Sequence, residues 1–433
     1  MIVGMLTAMP TADLPPSPSP QATPAAGDRG DACPGALRLH TADDGALARI
    51  RLPGGILTIG QAEALGRAAL RLGDGDLHLT SRGNVQLRGL AAGCGGELAA
   101  ALDAVGLLPS REHERVRNIV ASPLSGLDGG GAQDVRPWLT ALDAALCASE
   151  AARGLSGRFL FALDDGRGDV AGLGADVTVR ATGDGRAWLG PGSVRVSAVD
   201  APRAALVAAE TFLEAARSHG ARTWRVSELP LPQGELDHLV RDRLTAEGIA
   251  QEVRPEPVGS ADGPPPGIVG EALSAHVPLG RLSALQWEAL TVAADTELRL
   301  TPWRGVVVPT VGATAARRVE SLERLRGAGL VTDPVSSWLR VGACIGRPGC
   351  AKAHGDVRAD AARALESTGR PALPLYWSGC ERRCGHPRGD HVDVLATPDG
   401  GYRLSAATTA GTTRTVSAAG PFQMGAALAA ITS

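Results

Sequence analysis

Between residues 37 and 90 the hydrophobic period of the chain changes twice. Apolar and polar positions alternate over 46–52, the two-residue period of a half-buried strand, and Pro53-Gly54-Gly55 ends it with a turn. Over 59–72 the apolar spacing lengthens to that of a helix. Alternation returns over 76–90, through Leu77 and Leu79 and then Val85 and Leu87. The result is a small α/β unit that carries the segment Leu79-Thr80-Ser81-Arg82-Gly83-Asn84-Val85-Gln86-Leu87.

The unit recurs. Asp74-Gly75-Asp76-Leu77-His78-Leu79-Thr80 aligns without a gap on Asp295-Thr296-Glu297-Leu298-Arg299-Leu300-Thr301, 221 residues later. A helical segment precedes each copy, 61–72 and 283–294. An arginine-bearing turn and a β run follow each, Arg82 with 85–87 and Arg304 with 306–308. At this separation the repeat predicts a pseudo-symmetric protein of two halves rather than a solenoid. Between the copies the pattern gives a short strand or its exit at 116–120, a helix at 135–148, strands at 158–163, 177–180, 187–189 and 193–196, and a helix at 201–218. The proline- and glycine-rich stretch 259–267 reads as a linker. A helix at 315–328, a cysteine region at 344–384, a hairpin around 398–401 and a last helix at 421–431 complete the chain. The predicted class is α+β. Its divisions are a disordered tail (1–33), a half-domain (34–110), an α/β domain (111–258), a linker with a second half-domain (259–330) and a second α/β domain (331–433).

Composition narrows the function. The chain has 433 residues, 44% hydrophobic and 21% charged, enough for a sizeable core. A net charge of −3 and the lack of a long basic run argue against a nucleic-acid-binding protein. No uncharged apolar stretch reaches the roughly 18 residues of a membrane span, and residues 1–20 lack the charged start of a secretory signal. A cytoplasmic protein with reduced thiols is therefore expected. Of the 43 lysines and arginines, one is a lysine, Lys352. Any chemistry that needs two lysines is excluded.

Four of the seven cysteines fall together as Cys344-x5-Cys350 and Cys380-x3-Cys384, while Cys33, Cys94 and Cys147 are scattered. Glycines surround the four, and glycine lets the backbone approach a bulky inorganic core and donate N–H groups to its sulfurs. Structural zinc sites favour tighter C-x2–4-C knuckles. The spacing therefore favours a [4Fe–4S] cluster, with zinc and disulfides as the alternatives. A helix at 356–366 is expected to cover one side of it.

These residues resemble the sulfite and nitrite reductase family, whose members bind [4Fe–4S] and siroheme. The resemblance rests on the cysteine spacing, on the segment Leu79–Gln86 and on Arg115-Val116-Arg117-Asn118-Ile119-Val120, and it covers roughly 37–430. It implies two ferredoxin-like half-domains that pair, two α/β domains of the sulfite reductase type, and a tetrapyrrole at their junction. Cys344, Cys350, Cys380 and Cys384 are the implied cluster ligands, with Cys384 bridging to siroheme in a reductase. The family's reductases place two lysines, one residue apart, in the anion pocket. Arg158 and Leu160 stand at the matching positions here, and leucine can neither hold a charge nor move a proton.

The stretch Arg299-Leu300-Thr301-Pro302-Trp303-Arg304-Gly305-Val306 and the continuation Cys384-Gly385-His386-Pro387 resemble instead the tetrapyrrole-hydroxylating branch of aerobic cobalamin biosynthesis. That resemblance implies precorrin-3A and O2 as substrates. It also implies electrons from an external donor, ferredoxin or an NADH-dependent reductase. Arg82, Arg117, Arg158 and Arg304 become carboxylate clamps, since guanidinium matches carboxylate bidentately. A mononuclear non-haem iron is a further expected cofactor. No 2-His-1-carboxylate motif is evident, and its candidate ligands are His354, His386 and His391 near Asp390 and Asp393. A non-catalytic iron–sulfur or zinc scaffold is the remaining alternative.

Overall fold

The computed structural model describes residues 33–432 apart from 221, 258, 260, 388 and 408–414. The expected disordered tail lies, except for Cys33, outside the described residues.

The two half-domains are built by the same local rules. Strand Gly45–Ile50 leads through the 3-10 turn Pro53–Gly55 into helix Ile59–Leu72. The Thr58 hydroxyl accepts from the Gln61 N–H and the Gln61 side chain accepts from the Thr58 N–H, a reciprocal cap that fixes the helix start. Ser283 and Gln286 repeat the arrangement ahead of helix Ala284–Ala293. The turns Pro53–Gly55 and Pro278–Gly280 stand 225 residues apart, the strands after the helices 221. The difference is one helical turn, because the first helix has 14 residues and the second 10.

Each half-domain lends its partner a strand. The first sheet runs, from one edge to the other, His40–Ala42, Gly45–Ile50, Val85–Leu90, Leu77–Leu79 and Arg281–Leu282. The second runs Gly267–Val269, Ala272–His276, Gly305–Pro309, Glu297–Leu300 and Ile56–Thr58. The outer strand of each thus comes from the other repeat. One hydrophobic core is shared, with Leu57, Leu65, Leu77, Leu87, Leu282, Leu290, Leu298 and Val306 all buried. The Trp287 indole N–H also crosses the boundary to the Ala62 carbonyl at 2.8 Å.

The opposite faces of the two sheets differ in chemistry. In register across the first sheet lie Arg49, Gln86, His78 and Arg281. The equivalent row of the second is Ser274, Val307, Arg299 and Ile56. The first row thus holds two arginines and a histidine, and the second a single arginine, Arg299, which is buried and paired with Glu297.

The larger units also share one topology. In the first, Ile119–Ala121, Phe161–Asp164 and Val177–Ala181 are parallel, and Arg186–Gly190, Val194–Ser197 and Gln251–Val253 continue antiparallel. In the second, Val341–Ala343, Leu375–Ser378 and His391–Ala396 are parallel, and Tyr402–Ala407 and Thr415–Ala418 continue antiparallel. Helices Arg136–Ala148 and Ala201–Ser218 cover the first sheet, Val357–Thr368 and Met424–Thr432 the second. Strand 158–163 of the sequence reading begins later, at Phe161, because a turn holds Ser156–Phe159 and the Asp176 carboxylate takes the Leu160 N–H. Helices Gly95–Asp103 and Glu235–Ala246 were not anticipated.

At the ends of its first two strands, where the second unit has its cysteines, the first unit has Ser122 and a knot of buried carboxylates. Asp164 accepts from the N–H groups of Gly166, Gly168, Val170 and Ala171. Asp169 accepts from the Ser122 hydroxyl at 2.6 Å. Burial, and then the charges of Asp164 and Asp165, push the Asp169 carboxyl up to about 7 from its ordinary 3.8. Between those values the folded chain holds the proton more tightly than the unfolded chain, so stability falls as pH rises through the window. Asp169→Asn keeps an acceptor for Ser122 and removes the charge. Thermal unfolding from pH 4 to 8 should show a higher Tm than the parent at pH 8 and a flatter slope below 7; an unchanged slope would contradict the assignment.

Candidate functional site

Parallel strands deliver both cysteine pairs to one edge. Cys344 directly follows strand Val341–Ala343, and its N–H donates to the Trp377 carbonyl at 2.9 Å. Cys380 stands two residues beyond neighbouring strand Leu375–Ser378. Ligand sites of α/β sheets gather at such carboxyl ends. The Gly379 N–H donates to the Cys344 sulfur at 3.2 Å. The Cys384 thiol is pushed up by burial and then by Cys380 and Cys344, with Cys350 adding to this and Arg382 opposing it.

Glycine keeps the packing around the cysteines tight. A Cβ on Gly379 would lie 2.6 Å from the Ala353 Cβ, and one on Gly346 would lie 2.8 Å from Val357. All seven cysteines are free thiols. Among the described residues, sets of three or more potential ligands within 4.8 Å of one another comprise Asp74–Asp76–His78 and Asp164–Asp165–Asp169, with no cysteine in either. Tetrahedral zinc, with Zn–S about 2.3 Å, would hold its sulfurs roughly 3.8 Å apart. Four thiols at one sheet edge, with a backbone N–H on one sulfur, are the donor set that a [4Fe–4S] cluster takes.

The charged face of the first sheet meets the loop between Cys344 and Cys350 across a cavity of about 510 Å³, lined in part by Asp74, His78, Arg281, Arg347, Gly349 and Arg358. His78 is 5% exposed. Its Nε2 bonds Asp74 at 3.1 Å, while Nδ1 has no partner among the described residues. Burial holds His78 below its ordinary pKa. Arg358 donates from Nε to the Cys344 carbonyl at 3.1 Å, and its buried Nη1 has no partner among the described residues. Burial, and then Arg304 and Arg281, lower its pKa to about 10. Arg304 adopts φ 57° and packs against Gly280, Gly342 and Tyr376.

A second group of arginines gathers at the other end of the same face. Arg51 is 3% exposed. Its Nη2 donates to the Gly157 carbonyl at 3.2 Å, and its Nε and Nη1 are unpartnered among the described residues. Burial, and then Arg49, bring it to about 9. Arg82 is lowered to about 10 by burial and then by Arg225 and Arg49. Arg158, next to Gly157, stacks over Trp224 at 5.0 Å and pairs with Glu228 at 3.3 Å. Leu160 is buried in an apolar cluster with Val120, Ala162 and Val170, with Trp303 packed against it. The structure thus sets Arg82 near Arg49, Arg51 and Arg225, Arg158 against Trp224 and Glu228, and Arg304 beside Gly342, two residues before Cys344.

Together with Arg51, Arg117 lines a second cavity, of about 540 Å³. Its Nε and Nη2 each bond Asp143 at 2.7 Å and its Nη1 reaches the Leu107 carbonyl at 3.3 Å. Asp143 thus already supplies Arg117 with a carboxylate from within the protein. Among the described residues, the histidines expected to hold a mononuclear iron form no three-ligand set. His391 bonds the Gly389 carbonyl and His386 the Arg383 carbonyl, their ring centres 6.0 Å apart. His354 enters no three-ligand set among the described residues. Sequence reasoning missed Arg49, Arg51, His78, Arg281 and Arg358. The alternation Arg49-Ile50-Arg51 was a signal for the first two.

Comparison with known proteins agrees with this architecture. The profile of the "Nitrite/Sulfite reductase ferredoxin-like half domain" matches residues 40–105. Similarity extends over most of the chain to a Betula pendula chloroplastic ferredoxin–nitrite reductase, 27% identical over 395 residues and 78% of this chain. The chain is thus similar to nitrite reductases over most of its length and to the reductase half-domain profile at its first repeat. It spans 65% of the birch protein's length. A precorrin-3B synthase of Sinorhizobium sp. is 29% identical over 404 residues, covering 88% of this chain and 85% of that one. The solved structure of Mycobacterium tuberculosis NirA protein has the same fold, with TM-score 0.65, 19% identity and coverage of 88% and 79%. The family profile reaches only the first half-domain; the second is recognisable by the strand that it exchanges.

Proposed function

We propose that the protein is a precorrin-3B synthase. In this reading it hydroxylates precorrin-3A at C20 with O2 and closes the ring-A acetate onto the neighbouring carbon as a γ-lactone. One oxygen atom enters the product and the other leaves as water, with two electrons and two protons supplied from outside.

The observation that carries this reading is Leu160. Reducing a small oxyanion calls for positive charge and proton donors at the ligand. Where the resemblance implies a second lysine in the reductases, this chain has an apolar residue, in a cluster against which Trp303 packs. The chain's one lysine, Lys352, is exposed beside Cys350. What remains is a set of arginines suited to a polycarboxylate. Arg82 and Arg158, with Arg49 and Arg51, bind acid side chains at one end, and Arg304 with Arg358 binds them at the other. Buried N–H groups left unpartnered on Arg51 and Arg358 are costly until a ligand acceptor meets them. Cys344, Cys350, Cys380 and Cys384 hold a [4Fe–4S] cluster, which supplies one-electron relay from a ferredoxin or an NADH-dependent reductase. The likeness to a Sinorhizobium precorrin-3B synthase over 85% of its length supports the reading.

The rival is a siroheme-dependent sulfite or nitrite reductase, with Cys384 bridging cluster and siroheme. A visible spectrum of the purified protein and an assay for precorrin-3A under air separate the two. The expected result is a broad cluster absorbance without siroheme bands, and one O2 consumed per tetrapyrrole. Siroheme bands with turnover of nitrite or sulfite would overturn the proposal.

A further inference from the structure

Both neighbours of Cys350 are tied to the opposite half of the molecule. The Gly349 carbonyl accepts from Arg88 Nη2 at 3.0 Å, and the Ala351 N–H donates to Asp43 at 2.6 Å. Arg88 is itself locked, its Nε and Nη2 each 2.8 Å from an oxygen of Asp44. Asp43 and Asp44 form the tip of the first hairpin, between strands His40–Ala42 and Gly45–Ile50. Arg88 is 5% exposed and comes from strand Val85–Leu90. There is no slack at the joint, because a Cβ on Gly349 would lie 2.8 Å from Asp44 Oδ2.

The other cysteines are held by their own domain. Cys344 is bonded to strand Leu375–Ser378, the Tyr376 hydroxyl donates to the Cys384 carbonyl at 2.6 Å, and the Gly379 carbonyl beside Cys380 accepts from the His354 N–H. Cys350 alone among the four has both adjacent peptide groups clamped from the first half-domain. The clamp also borders the cavity, which Asp44 and Gly349 both line.

We infer that Asp43, Asp44 and Arg88 are positioning residues that keep the Cys350 corner of the cluster closed in air; this rests on the proposed ligation of a [4Fe–4S] cluster by the four cysteines. An enzyme that consumes O2 exposes its cluster to the reaction [4Fe–4S]2+ → [3Fe–4S]+ + Fe2+ + e−, with the electron taken by O2. A loosened Cys350 loop opens one corner to that loss.

The test uses full-length protein prepared without oxygen and then exposed to air, with visible absorbance, iron content and EPR followed in time. Arg88→Ala and Asp43→Ala should begin with the wild-type iron content. They should then lose the cluster about tenfold faster, the factor that one charge-assisted hydrogen bond is worth, through a three-iron EPR species. Arg88→Lys should recover part of the lifetime, since an ammonium can still reach the Gly349 carbonyl. Arg167→Ala removes another paired arginine, half-buried between Asp128 and Asp165 and far from the cysteines in sequence; it should lower Tm and leave the cluster lifetime unchanged. Wild-type lifetimes in both clamp variants, or faster loss without a three-iron species, would overturn the inference. A Cys350→Ser protein that keeps a complete cluster would instead remove the ligand assignment beneath it.

Discussion

Cys350→Ser and Cys384→Ser are expected to be purified without the cluster absorbance and to turn over precorrin-3A at least about 100-fold more slowly. That loss lies beyond the 10–100-fold that changes outside the ligand shell typically cause. Serine keeps the size of the side chain but offers a poor, protonated donor where a thiolate is needed. The rest of the fold should remain, because sheet Val341–Ala418 has its own core of Trp377, Val392, Val394 and Leu404. Iron and sulfide analysis beside circular dichroism checks both halves of the statement. Activity retained by either variant would contradict the assignment of these residues as ligands.

Arg82→Ala should weaken tetrapyrrole binding by about 30- to 150-fold, the roughly 2–3 kcal/mol of a hydrogen bond to a charged group, and leave the iron content unchanged. Arg82 belongs to a crowd of like charges: burial and then Arg225 and Arg49 lower its pKa. Such a crowd is strained until an anion joins it. The variant should therefore be no less stable than the parent without ligand, whereas Arg117→Ala, which strands the Asp143 carboxylate, should be destabilised. Tetrapyrrole titration and thermal unfolding of the two variants make the comparison. Equal loss of binding and of cluster in Arg82→Ala would show a structural role instead.

Much of this was legible in the sequence, for local reasons. The helices at 59–72 and 201–218 match their predicted bounds because period and caps act within a few residues. The cysteine set was legible because its spacing is itself chemical information. Strand exchange was not. Ile56–Thr58 reads as a continuation of its own unit, and only pairing with Glu297–Arg299 reveals its place. Arg117 shows a related limit. An arginine carries its charge in the sequence but not its partner, and Asp143 comes from helix Arg136–Ala148, 26 residues on. Arg49, Gln86, His78 and Arg281 are unremarkable one at a time and become a charged row only when four strands come into register.

The exchanged strands impose an order on biosynthesis. The first half-domain emerges from the ribosome with the outer edge of its sheet bare, and it stays bare until Arg281–Leu282 arrives. Strand Ile56–Thr58 waits longer still, until residues 297–299 have been made. Contacts so distant in the chain form late. Arg281, the last member of the charged row, is nonetheless made before Cys344, the first of the four grouped cysteines. The hairpin residues Asp43 and Asp44 and their partner Arg88 are likewise made long before the peptide groups on either side of Cys350 that Asp43 and Arg88 bond.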